Sequence, residues 1–176
     1  MSGKDFNIKS TLEAILQNDA IGKNLKIYFE NTPEKDTRRV ISILSMIYPD
    51  KINMSDNEFE FIVYMFSSEK NIRQENFFEF VRAVSLINFT DKQKNIFIDA
   101  IKKHMELLCE KCTFELDILL MKIFEPPELI KYIYTLIGNS AQPVMRHVEY
   151  ILKDELFCHN ANTTNILELL KQQSYK

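Results

Sequence analysis

Two cysteines three positions apart, in Cys109-Glu110-Lys111-Cys112, are the residues of this sequence most able to do chemistry. Thiolates at that spacing can share a zinc ion or form a redox pair. Cys158 with His159, or with His104, would complete a four-ligand set. Yet no second Cys-x-x-Cys follows, and no βαβ pattern surrounds the first, as a thioredoxin-like site requires. Both cysteines fall near the end of a predicted helix, where Cys112 continues the apolar stripe of Met105 and Leu108. Cysteine is among the most buried residue types, so the pattern predicts core packing, with neither a metal nor a cofactor.

The other chemical groupings are thinner. His104, His147 and His159 are scattered, and neither His-Glu-x-x-His nor the paired Glu-x-x-His of dinuclear iron bundles occurs. Glu155 and His159, four residues apart, read as a surface ion pair. Glycine stands only at 3, 22 and 138, which leaves no phosphate-cradling loop and no nucleophile elbow. Glu58 with Glu60, and Glu125 with Glu128, are the carboxylate pairs open to acid/base work. At helix starts such residues ordinarily complement the helix dipole. The sequence therefore predicts a protein that is not an enzyme.

These residues must be carried by helices. Hydrophobic residues make up 45% of the 176 positions and charged residues 27%, ordinary globular usage. Three Gly and five Pro are too few for the frequent reversals of a β-sandwich. Ser10-Thr11-Leu12-Glu13 reads as a capping box at a helix start, with Ile8, Leu12, Ile15 and Leu16 marking one face. Ile21, Leu25, Tyr28 and Phe29 mark a second helix, which Gly22 weakens. Thr32-Pro33 reads as an N-cap and a first-turn proline, and the helix should end at Tyr48 because Pro49 disfavours helical geometry before it. Between Val40 and Tyr48 only two serines are polar, which predicts burial all round.

Ser55-Asp56-Asn57-Glu58 and Thr90-Asp91-Lys92-Gln93 are two further capping boxes. The first opens a helix with Phe59, Ile62, Val63 and Phe66 inward. A loop over 67–71 and a helix presenting Phe77, Phe80, Val81 and Val84 follow. The second box opens a longer helix with the stripe Phe97, Ala100, Ile101, Met105 and Leu108. From Thr113 a nearly all-apolar helix is predicted, then one after Pro126-Pro127, one capped by Ser140 with Pro143 in its first turn, and a short last one holding Ile166, Leu169 and Leu170.

The expectation is a single all-α domain over 1–176, frayed at about 1–8 and 172–176. About ten short helices form antiparallel hairpins, arranged as a short HEAT- or armadillo-like stack or as a compact bundle. Helix pairs opening near 33, 73 and 113 suggest a period of about 40, which sets Ser45-Met46-Ile47 over Ser85-Leu86-Ile87.

The net charge of −3 arises from 22 basic and 25 acidic side chains mixed along the whole chain. Without a basic stripe, nucleic-acid binding is not expected. No apolar run reaches the roughly 18 residues of a membrane span, the first residues lack a secretory pattern, and three cysteines make no disulfide framework. A cytoplasmic protein is expected. What remains is recognition of another protein. Asp56, Glu58, Glu60, Glu106, Glu110, Glu115, Glu125 and Glu128, with Tyr132 and Tyr134, form the pool of candidate contacts, joined by the off-stripe aromatics Phe61, Tyr64 and Phe78. An acidic helical surface suits an immunity protein or antitoxin that blocks a basic nuclease-type toxin domain. The other expectation is a regulatory or host-targeting adaptor that grips a helix or peptide in a groove.

Overall fold

Residues 3–17, 20–48, 54–112, 114–125 and 128–129 are described by a computed structural model. They form nine helices and no β-strand: α1 (Gly3–Leu16), α2 (Ile21–Glu30), α3 (Glu34–Ile47), α4 (Asp56–Phe66), α5 (Glu69–Ile72), α6 (Phe77–Ser85), α7 (Asp91–Lys103), α8 (Met105–Lys111) and α9 (Phe114–Ile123). The all-α expectation is met. Among the described residues no helix is long and apolar enough to cross a membrane.

Two of the three capping boxes form as the sequence predicts. The Ser55 hydroxyl accepts from the Glu58 N–H at 3.3 Å while the Glu58 carboxylate accepts from the Ser55 N–H at 3.5 Å. Thr90 and Gln93 repeat the exchange at 3.3 and 3.1 Å. Each satisfies donors that a helix start leaves orphaned. The third does not form, because α1 already runs through it from Gly3, and Thr11 instead donates to the Asn7 carbonyl one turn back. The start of the chain is therefore helical from Gly3, with Ile8 in the core, rather than frayed to residue 8. Thr32 likewise caps nothing. Its hydroxyl donates to the Tyr28 carbonyl, and Pro33 itself occupies the cap of α3.

The helices lie in two rows. In one, α1 packs on α3, α3 on α6 and α6 on α9; in the other, α2 packs on α4 and α4 on α7. The second row starts at Ile21, Asp56 and Asp91, 35 residues apart. Its cap carbonyls, Ala20, Ser55 and Thr90, each accept from the N–H four residues on, and Glu125 does the same for Leu129 after another 35. The expected openings near 33, 73 and 113 concern the other row, where α3, α6 and α9 start at Glu34, Phe77 and Phe114, 43 and 37 residues apart; the spacing of 35 belongs to this row alone.

Hydrogen bonds between neighbours within a row have their own offset. Arg38–Glu75, Ser42–Glu79, Asp56–Gln93, Ser67–His104 and Ser85–Lys122 all join residues 37 apart. The other bonds between these pairs fall at 34 to 39, and a similar positive offset at both ends of a helix pair means that the pair runs in the same direction, as α3 with α6 and α4 with α7 do. Hence the 40-residue alignment of Ser45 with Ser85 does not describe which residues face each other.

Between the rows lies one apolar cluster extending from Ile8 to Leu129. Its centre is aromatic. Phe61 and Phe66 of α4 meet Phe80 of α6 at ring separations of 6.4 and 6.3 Å, and Phe66 meets Phe77 of α6 at 5.2 Å and Phe97 of α7 at 4.8 Å. Phe61, expected to stand partly exposed, is fully buried here. The segment expected as a loop over 67–71 contains the single turn of α5, and the long helix from Thr90 is broken at His104. His104 leaves helical geometry at φ −126° and ψ 24°, and its ring Nε2 lies 3.1 Å from the Ser67 carbonyl, tying α7 to the end of α4. The predicted stripe from Phe97 to Leu108 stays buried across the break. The helices expected beyond Leu129 lie outside the described residues.

Gly22 explains how the second row closes. A Cβ on it would fall onto the backbone carbonyl oxygen of Asn57, at the start of α4. Alanine normally favours a helix over glycine by about 1 kcal/mol. Here Gly22→Ala should instead destabilise the fold by about 1–3 kcal/mol, because backbone must move to admit a methyl group. Urea denaturation measures it, and an unchanged or higher midpoint would show that α2 does not approach α4 this closely.

Candidate functional site

The Cys-x-x-Cys pair is closed to solvent. Cys109 and Cys112 are packed as thiols in the core cluster, at the end of α8. Burial, with Asp117 and Glu106 nearby, pushes the Cys109 thiol up to about 12. Burial and Glu115 raise Cys112 as well. A raised thiol is a poor nucleophile and a poor metal ligand, since both roles need the thiolate. Among the described residues no three His, Cys, Asp or Glu side chains converge as a metal set. Cys158 and His159 lie outside those residues.

The acidic candidates do not form one surface. Asp56 is held by Lys92 at 3.3 Å and by the Gln93 amide at 3.0 Å. Glu58 is a correction: only 4% exposed, its carboxylate turns back into its own capping box, so it offers nothing to a partner. Glu60 is exposed on α4. Glu106 and Glu110 do come together, lining a polar cleft of about 470 Å³ with Glu69. Arg73, Lys102, Lys103 and His104 line the same cleft, so its charge is mixed. Glu115 is half-buried, while Glu125 and Glu128 are exposed beyond α9. Tyr132 and Tyr134 lie outside the described residues.

A different grouping stands out on the outer side of α3 and α6. Met46, Phe78 and Leu86 are 55%, 40% and 58% exposed, and all three line one cleft of about 370 Å³. Ser42, Ser45 and Ala83 contribute small side chains to it, and Glu79 and Arg82 supply its charges. The helix expected to be buried all round, α3, therefore has an outer face marked by its two serines and Met46. Of these residues only Phe78 was nominated by the sequence, as an aromatic off the inward stripe.

The cleft is held rigidly. The Asn76 amide donates to the Arg38 carbonyl and to the Ser42 hydroxyl, both at 2.8 Å, and Ser42 passes a hydrogen bond on to the Glu79 carboxylate at 2.8 Å. Arg38 meets Glu75 at 2.7 Å beside it. Asn76 is buried, so its two donations lie where a lost hydrogen bond costs most. Together these bonds fix the separation and register of α3 and α6.

Comparison of the chain with protein-family models, with curated proteins and with solved structures finds no match.

Two outcomes follow from this geometry. In a Cys158→Ser variant, native Cys109 and Cys112 should react with a thiol reagent at pH 8 more slowly than in urea by about two orders of magnitude or more, given burial and a raised thiol. Rapid native labelling would place them on an accessible surface. The Asp56 carboxyl, held by Gln93 and Lys92, lies below its ordinary value of 3.8. A depressed carboxyl stabilises the fold above that value and loses its effect as pH falls through the lower one. Asp56→Asn should therefore lower stability at pH 7 and flatten its decline below about pH 4, as followed by urea midpoints across pH. A parallel offset at every pH would disprove the ionic contribution.

Proposed function

We propose that this protein acts by binding another protein and performs no catalysis itself. The observation that carries this reading is the convergence of Met46, Phe78 and Leu86 on one cleft between two parallel, rigidly pinned helices. Exposed apolar residues scattered singly are ordinary, but three sharing a cleft with a charged rim mark a recognition surface. Small residues beneath them let a partner's backbone come close, and the Asn76–Ser42–Glu79 network means little ordering is needed on binding. The buried, raised thiols and the capped carboxylate of Glu58 support the absence of catalysis by removing the best chemical candidates from solvent.

A second reading, an immunity protein or antitoxin facing a basic nuclease-type toxin, is favoured by one observation. Glu69, Glu106 and Glu110 share a cleft large enough to receive a basic side chain. The three cations and the histidine on the same wall reduce its attraction for such a partner.

Cross-linking the tagged full chain in its native cells separates the readings. If the cleft of α3 and α6 binds, a protein captured by the wild type should be lost with Met46→Asp and Leu86→Asp together and kept with Glu106→Lys and Glu110→Lys. The reverse pattern establishes the acidic surface. A capture that survives both pairs, in proteins of unchanged circular dichroism, overturns both.

A further inference from the structure

We infer that the cavity between α1, the end of α2 and the start of α3 binds an aliphatic ammonium group, carried by a small amine or by a lysine side chain. Its volume is about 390 Å³, and none of its lining residues belongs to the cleft between α3 and α6. The inference is therefore independent of the protein-binding surface above. Ile8 of α1 and Val40 of α3, both buried, form an apolar wall together with the ring of Pro33. Such a wall suits a hydrocarbon chain.

The polar lining selects what that chain ends in. Thr11 donates its hydroxyl proton to the Asn7 carbonyl at 2.9 Å, and Thr32 donates to the Tyr28 carbonyl at 2.8 Å. A hydroxyl has one proton, so towards a ligand both oxygens can only accept. The Asn31 amide nitrogen donates to the Ile27 carbonyl at 2.8 Å, which leaves Oδ1 to accept, and Pro33 has no N–H. Among the described residues of the lining Asp36 alone carries a charge, and it is 8% exposed. Arg39 stands 3.9 Å from that carboxylate without lining the cavity, so it competes with a ligand from outside. The field of Asp36 is felt within the cavity all the same: burial, and then Asp36, hold the hydroxyl of the lining residue Tyr28 above its ordinary value. An ammonium group brings three donors, no acceptor and the opposite charge. An anionic ligand would meet like charge and acceptors it cannot satisfy.

Titration of the full-length chain with n-butylamine at pH 7, followed by NMR of its methyl groups, tests the inference. Signals of Ile8, Thr11 and Val40 should shift, and butylammonium should bind about tenfold or more tightly than 1-butanol, which has nearly the same shape and no charge. Asp36→Asn should remove about tenfold of that affinity and Thr32→Val a smaller part, while Arg39→Ala should strengthen binding by removing the competing cation. Butanol or butyrate binding as tightly as butylammonium overturns the inference, and so does an affinity that none of the three substitutions changes. Asp36 is buried in the first turn of α3, so urea midpoints accompany each variant. Where Asp36→Asn lowers the midpoint, Thr32→Val and Arg39→Ala decide alone, and unchanged affinity in both overturns the inference. Nα-acetyl-lysine methylamide then separates the two sources of the ammonium group. Binding as tight as that of butylammonium, or tighter, supports the inference with a lysine side chain of another protein as the ligand. Weaker binding, caused by the flanking amides, supports it with a free amine.

Discussion

Phe66 of α4 touches Phe77 and Phe80 of α6 and Phe97 of α7, and through them one ring couples both rows of helices. The contacts extend outward without a break. Phe61 links Phe80 to Phe29 of α2, Tyr48 meets Phe80 from the end of α3, and Phe59 and Phe89 close on Phe97. Most of these pairs are edge-to-face, the arrangement in which the positive edge of one ring meets the negative face of the next. Such pairs are directional where aliphatic packing is not. A shift of α4 by one turn would separate the pairs made by Phe59, Phe61 and Phe66, so the seam selects one placement of α4 between its neighbours.

With most of the large rings committed inward, the register within each row is set by polar side chains that bridge neighbouring helices, two of them, Asn76 and Gln93, themselves buried. Asn76, Ser42 and Glu79 lock α3 to α6, Gln93 locks the start of α7 to Asp56 and to the Met54 carbonyl, and His104 locks the end of α7 to α4. Because these bonds fix how far α6 is displaced along α3, they also decide that Phe78 and Leu86 of one helix flank Met46 of the other. The cleft is in this sense a product of the same network that keeps the helices in register.

How much of this was legible follows from the range of each signal. The capping boxes at Ser55 and Thr90 are local, and both form. The same pattern at Ser10 fails because a preceding turn of helix already supplies the backbone partners, which no four-residue motif reveals. The break at His104 escapes periodicity because the inward stripe continues through it. Glu58 was nominated both as a cap and as a surface acid, and the first role excludes the second. The cleft itself joins residues from 42 to 86, and its existence depends on a parallel pairing of helices that hydrophobic spacing within either one does not encode.

Net charge is a weak guide to such a surface for a related reason. Asp56 with Lys92, Glu69 with Arg73, Glu75 with Arg38 and Asp91 with Lys94 are each neutralised by a cation that the fold or the helix turn brings alongside. Exposed pairs of this kind add little stability, but they cancel the field a few ångströms away. What a partner meets at close range is then set by the charges left over after pairing rather than by the excess of three carboxylates over the whole chain. At the apolar cleft the charges left over are the Glu79 carboxylate, whose hydrogen bond from the neutral Ser42 hydroxyl leaves its charge in place, and the Arg82 guanidinium, so a partner meets a mixed rim there rather than a net acidic one.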